Sequence, residues 1–507
     1  MSPDSLHFSS SRRFAIVASV ALAAMSLTSC SVGPRYARPA APAPPAYKEL
    51  PPDWKTAQPV DALAKGKWWE AFQDPQLNSL EERVDVSNQN LKSAQAAFEQ
   101  ARDIVRINRA GYYPNVSTAP QISRSRLSTD RPNGAAVTQT VYNDFLIPVD
   151  ASYEVDVWGR VRHTVQQARA NAQASAADLE TVRLSLHAEL ASDYFQLRAL
   201  DAEAQLLDST VSAYERALEL TENRYHGGVA SQVDVAQAQT QLETTRAQSI
   251  EVRVQRAQLE HAIAVLMGQN PAEFSLPVSP LNVTPPVIPL GLPSDLLERR
   301  PDIAASERRM LAANEQIGIA TAAYYPTINL NGSGGFESTS ITNWFTGPAG
   351  FVSGGVSAFQ TVFDAGRRHA ITDQARSGYD QTVADYRQTV LTAFQEVEDS
   401  LAALRLLEQE SKTQQGAVDA AQHSLDLSNN RYKGGVTTYL EVITAQSFAL
   451  SDQRTLVQIA GERMTASVSL IKALGGGWQA SSLPNLKNPP TTPSTSAISN
   501  SATTSGP

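Results

Sequence analysis

The sequence predicts a mainly α-helical, internally duplicated chain with a small membrane-crossing β-region. Three observations carry this. RYHGGVASQVDVAQAQ, from Arg224, recurs as RYKGGVTTYLEVITAQ from Arg431, with 8 of 16 residues identical at an offset of 431 − 224 = 207. Each half holds a long proline-free stretch, from Gly159 to Tyr225 and from Gly366 to Tyr432, with apolar residues at spacings of three and four. Between Phe145 and Val157 the pattern instead has period two, as in a strand with one apolar face.

The N-terminus comes first. Arg12 and Arg13 precede an apolar run from Phe14 to Leu27, which is too short for a mature membrane span but right for a secretory signal. The run closes on Leu27-Thr28-Ser29-Cys30, which resembles a bacterial lipobox; the resemblance implies that residues 1–29 are a lipoprotein signal peptide and that Cys30 is lipidated. Ser31 follows where an aspartate would be expected to retain a lipoprotein at the inner membrane, so outer-membrane sorting is implied. Residues 30–60 are proline-rich and expected to run extended as a tether. At the other end, residues 479–507 are rich in Ser, Thr, Pro and Asn and are expected to be disordered.

The duplication organises the rest into a first repeat, 61–270, a linker or equatorial region, 271–295, and a second repeat, 296–478. Gly111-Tyr112-Tyr113-Pro114 matches Ala323-Tyr324-Tyr325-Pro326 after a shift of a few residues. Leu179, Val182, Leu186, Leu190, Tyr194, Leu197 and Leu200 form a helical seam, as do Val383, Tyr386, Val390, Phe394, Val397, Leu401 and Leu404. Long helices are expected at about 159–224, 232–267, 366–431 and 439–474, and the longest would reach roughly 100 Å. Strands are expected at about 114–125, 143–157, 326–337 and 351–363. Four strands cannot close a barrel and an open edge does not survive in lipid, so the chain is expected to oligomerise.

Composition narrows the function. With 42 basic and 51 acidic residues the net charge is −9 and no basic run occurs, which argues against nucleic acid as partner. One cysteine excludes disulfides, and the seven histidines have no metal-ligand spacing. Nucleophile elbow, phosphate loop and dinucleotide fingerprint are all missing, so neither catalytic residues nor a cofactor or metal is expected. Asp302, in RRPDI, reads as a helix-start acid.

Six stretches together resemble the outer-membrane efflux lipoproteins of the TolC superfamily, the NodT/OprM type. They are CSVGPRYARP from Cys30, WWEAFQDPQLNSL from Trp68, YEVDVWGRVR from Tyr153, LLERRPDI from Leu296, FDAGR from Phe363 and LIKALGGGW from Leu470. They occur in the family's order, and the resemblance covers nearly all of the mature chain except the C-terminal tail. The resemblance implies a homotrimer, with four strands per chain forming a 12-stranded barrel continued by a periplasmic α-helical barrel. It also implies a passive exit duct of a tripartite efflux system, fed by a periplasmic adaptor and an inner-membrane pump of RND type, that exports small molecules such as drugs or toxic compounds. A duct for type I protein secretion and a structural envelope lipoprotein remain as alternatives.

The repeated phrase has its own chemistry. Gly227-Gly228 and Gly434-Gly435 end a helix, and the basic residues before them suit its negative end. Ser231 with Asp234, and Thr438 with Glu441, fit capping boxes that start the next helix. Each phrase is then a hairpin tip far from the strands. The resemblance makes these tips a periplasmic gate: Tyr432 would reach towards Asp234, three copies of Glu441 would ring the pore, and Tyr225 and Thr437 would belong to the same mouth. Some relatives carry an arginine at Thr437 and a second acid at Thr444, so a closure built on hydrogen bonds is expected here, one that loss of the Tyr432 hydroxyl or the Asp234 carboxylate would loosen.

Overall fold

The computed structural model describes residues 31–41, 43–49, 66–126, 128, 141–288, 290 and 293–486. The signal segment, Cys30, residues 50–65 and the tail beyond Leu486 lie outside the described residues. In chain order the elements are α1 (Pro75–Ser87), α2 (Gln89–Ala110), β1 (Asn115–Thr118), β2 (Gln121–Arg126), β3 (Val141–Val155), α3 (Arg160–His226) and α4 (Gln232–Leu266). There follow α5 (Pro301–Ala322), β4 (Thr327–Ser338), β5 (Gly350–Phe359), α6 (Arg367–Lys433) and α7 (Tyr439–Ala473). Equivalent helices of the two halves have equal lengths: 22 residues in α2 and α5, 67 in α3 and α6, 35 in α4 and α7. The offset is 301 − 89 = 212 for the first pair and 367 − 160 = 207 for the second, so the length difference between the halves falls in the strands and their connections.

The strands form one antiparallel sheet whose order follows the chain. β1 and β2 keep a single register on β3, Thr118 opposite Val149 and then Gln121 opposite Leu146, so they are one strand position interrupted at Ala119-Pro120. Pro120 has no N–H to give the ladder, which explains the break. β3 then pairs with β4 and β4 with β5, leaving β1/β2 and β5 as the two edges. β5 ends at Phe359, and Val362 and Phe363 beyond it are 90% and 86% exposed.

The main core sits midway along the long helices. Leu186, Leu190, Tyr194 and Leu197 of α3 meet Tyr386, Val390, Phe394, Val397 and Leu401 of α6 there, so the seam read from the sequence is the buried face. Complete burial of a side chain such as Phe195 contributes about 1.5–3 kcal/mol. Trp68, Trp69 and Phe72 plug one side of this core. Asp74 then caps α1, accepting from the Gln76 and Leu77 amides at 2.9 and 3.1 Å and from the Tyr194 hydroxyl at 2.6 Å. Asp302 lies in the first turn of α5 and pairs with Arg300, whose guanidinium also reaches Glu396 at 2.6 Å and the Ala473 carbonyl at 3.0 Å. RRPD is therefore a pin between the start of α5, the middle of α6 and the end of α7.

Two expectations need correction. Residues 31–41 and 43–49 are no free spacer: they lie on the body as a strap. The Val32 amide donates to the Trp158 carbonyl at 3.2 Å, Arg38 bonds the Tyr386 hydroxyl at 3.2 Å, and the Lys48 and Glu49 amides both donate to Glu398 at 2.8 and 2.9 Å. A proline-rich segment has little freedom to lose on docking and many unpaired backbone groups to satisfy, which favours this outcome. Likewise residues 479–486 are packed: Leu486 is buried with Val105, Ala168 and Ala172, and the Pro484 carbonyl accepts from Gln173.

Candidate functional site

The candidate site is the pair of hairpin tips at the far ends of α3–α4 and α6–α7. Both helix ends are closed by the same bonds. The Val229 and Val436 amides reach back to the Arg224 and Arg431 carbonyls at 2.9 and 3.0 Å, and the Gly228 and Gly435 amides to the Tyr225 and Tyr432 carbonyls at 2.9 and 3.0 Å. This is a Schellman arrangement, and it needs a left-handed residue only at the second glycine. Gly228 and Gly435 accordingly have φ of 73° and 72°, whereas Gly227 and Gly434 have ordinary negative φ.

Beyond the turns the two tips diverge. Ser231 and Asp234 form a complete capping box: the Asp234 amide donates to Ser231 Oγ at 3.2 Å, and the Ser231 amide donates to the Asp234 carboxylate at 2.9 Å. The corresponding box of Thr438 and Glu441 is not made, because Thr438 offers no side-chain cap. The Glu441 carboxylate instead accepts from the Thr437 hydroxyl and stands 3.4 Å from Arg431. Both members of that ion pair are largely solvated, which limits it to about 0–1 kcal/mol.

The expected link between Tyr432 and Asp234 is likewise not formed within the chain. Asp234 is turned back to its own cap, and the Tyr432 hydroxyl is buried with no hydrogen-bond partner. What joins the hairpins is the Tyr432 ring. It packs with Ala238, Tyr439 and Val442, its centroid lying 5.2 Å from that of Tyr439. Arg224 lays its guanidinium 4.7 Å from the Tyr432 centroid and donates to the Lys433 carbonyl at 3.2 Å. Such a cation–π contact contributes about 0.5–2 kcal/mol. Burial pushes the Tyr439 hydroxyl up to about 12. Tyr225, the repeat mate of Tyr432, is 41% exposed.

Repeat-mate arginines thus do different work. Arg431 faces an acid of its own hairpin, and Arg224 crosses to the other one. The sequence marked Arg224 only as a charge at a helix end; its capacity to stack on an aromatic face was the unused signal. The tips also expose Val229, Val233, Val436 and Leu440, two pairs of repeat mates that are 57% to 73% exposed.

The family model described as "Outer membrane efflux protein" matches residues 82–269 and 292–476, one match in each half. A probable efflux pump outer membrane protein, TtgC of Pseudomonas putida, is 33% identical over 461 residues, 91% of this chain and 95% of that protein. The pyoverdine export outer membrane protein OpmQ of Pseudomonas aeruginosa is 31% identical over 436 residues, covering 85% of this chain and 92% of its own. Among solved structures, the outer-membrane channel OprN superposes with a TM-score of 0.82 at 28% identity, over 89% of this chain and all of that one.

Proposed function

Since the chain belongs to the outer membrane efflux protein family, we propose that three copies close their sheets into one 12-stranded barrel, continued through the periplasm by the long helices. The protein is an outer-membrane exit duct of a tripartite efflux system, and no covalent chemistry is involved. The observation that supports oligomerisation is the sheet itself: among the described residues it has four strand positions and two unpaired edges, which further copies would satisfy in lipid. The number three is what the resemblance to the family implies.

Aromatic residues support the membrane position. Trp158 stacks on Tyr325 at 4.6 Å just before β4, and Phe145, Phe336, Trp344 and Phe345 cluster at its far end. About ten residues of tilted strand between these girdles give roughly 25 Å, the height of an outer-membrane apolar band. Lipidation of Cys30 fits the same frame. Ser31 Oγ is 2.8 Å from His163 Nε2, and His163 Nδ1 is 2.5 Å from Glu315, so the residue after Cys30 is held at the strand-to-helix junction beside Trp158. Acyl chains on Cys30 would enter the inner leaflet there.

At the opposite end, the exposed valines and Leu440 of the tips offer an apolar surface for a periplasmic adaptor, which connects the mouth to an RND-type inner-membrane pump. The efflux pump and pyoverdine export in the names of the relatives favour small molecules over secreted proteins as cargo. Deleting the gene is expected to raise dye accumulation and lower tolerance to drugs and solvents severalfold, with intact-mass analysis of the restored protein finding Cys30 lipidated. Unchanged tolerance together with loss of a secreted protein would favour the secretion duct instead.

A further inference from the structure

We propose that Arg224 is the residue that fastens the two hairpin tips of one chain together, by laying its guanidinium on the Tyr432 ring, and that the width of the periplasmic mouth depends on this contact and not on the Tyr432 hydroxyl. The proposal rests on the duct reading above. Its first support is geometric: the guanidinium carbon lies 4.7 Å from the ring centroid, and Nη1 donates to the Lys433 carbonyl at 3.2 Å, so one side chain of the first hairpin grips both side chain and backbone of the second. The ring cannot slide away, because Tyr432 is 5% exposed and Tyr439 packs against it at 5.2 Å.

The second support concerns the hydroxyl. Tyr432 Oη is buried inside a single chain and bonded to nothing. A neighbouring copy could reach it only after this cluster had opened, so assembly into a trimer does not supply the missing partner. Asp234 is also committed elsewhere, since its carboxylate holds the Ser231 amide. Arg224 Nε is buried without a hydrogen-bond partner as well, which leaves the ring face as the electrostatic partner on that side of the guanidinium. In the second hairpin Arg431 cannot do the same work, because it faces Glu441. The duplicated arginine has therefore been divided into one that links hairpins and one that stays local.

Single-channel recording in planar bilayers separates the ring from the hydroxyl, with trimer yield checked on unheated gels for every variant. Tyr432→Leu and Arg224→Ala are expected to raise the mean current by about fivefold, as loss of one such contact shifts a two-state balance. Tyr432→Phe keeps the ring and is expected to conduct like the parent, and Arg224→Lys, which keeps charge but not the planar fork, falls between. If Arg224→Ala assembles poorly, Arg224→Gln carries the same comparison. An equal rise in Tyr432→Phe and Tyr432→Leu overturns the proposal, as does parental current in both Arg224 and Leu variants; either result leaves the duct reading intact. Inserted trimers that conduct in no variant and not in the parent overturn both.

Discussion

Asp201→Ala is expected to lower stability by about 3–5 kcal/mol, as removal of one partner from a buried ion pair does. Asp201 is wholly buried in the middle of α3 and accepts three bonds: from Arg198 at 3.0 Å, from Arg256 of α4 at 2.6 Å and from the Ser279 amide of the linker at 2.9 Å. Arg198 and Arg256 also bond the Pro277 and Leu276 carbonyls, at 2.7 and 2.8 Å, and Arg198 bonds Gln76 of α1 at 2.8 Å. The carboxylate therefore balances two guanidinium groups that hold four segments together; alanine would leave Arg198 without a carboxylate away from water and Arg256 with Glu260 alone, at 3.2 Å. Asp201→Asn keeps the shape and loses the charge, so its cost should be smaller. The urea midpoint for loss of helical circular dichroism reads both; a midpoint unchanged in Asp201→Ala would contradict the hub.

Gly335→Ala is expected to prevent assembly of the barrel. A Cβ at Gly335 would fall 2.0 Å from the Ile147 carbonyl oxygen and 3.0 Å from the Pro148 Cα. Gly335 faces Pro148 across the β3–β4 ladder, where the neighbouring backbone leaves no room for a side chain. The colliding atoms are backbone, so no rotamer change relieves them, and strand separation would remove the pairing that centres the sheet. Gly334→Ala is the matched control, since its added carbon meets the Phe351 carbonyl at an ordinary 3.5 Å. Heat-stable oligomer in outer-membrane fractions should fall at least tenfold for the first change and stay near parental for the second, as expected when a clash costs more than about 1.4 kcal/mol.

Much of this was legible because the signals are local. Helix ends are written by Gly-Gly and by Ser231-x-x-Asp234, and α3, expected at 159–224, runs from Arg160 to His226. The apolar seam needs only a period of 3.6, and its middle members, Leu186 to Leu197 and Tyr386 to Leu401, are core residues. What escaped depends on partners distant in sequence. The strap formed by 31–41 and 43–49 is fixed by groups far along the chain, among them Trp158, Tyr386 and Glu398, which composition does not reveal. Thr438 and Glu441 satisfy the capping pattern, yet Glu441 turns to Thr437 and Arg431 because those groups compete for the same carboxylate. Arg224 and Arg431 sit in nearly identical words and differ only in what lies opposite, here the ring of Tyr432.

The central claim is that one chain's open sheet is completed by two more copies. Native mass spectrometry of the assembly extracted gently from outer membranes tests it most directly. The account predicts a single species of three lipidated chains; a folded, membrane-inserted monomer, or an assembly of any other number, would contradict it.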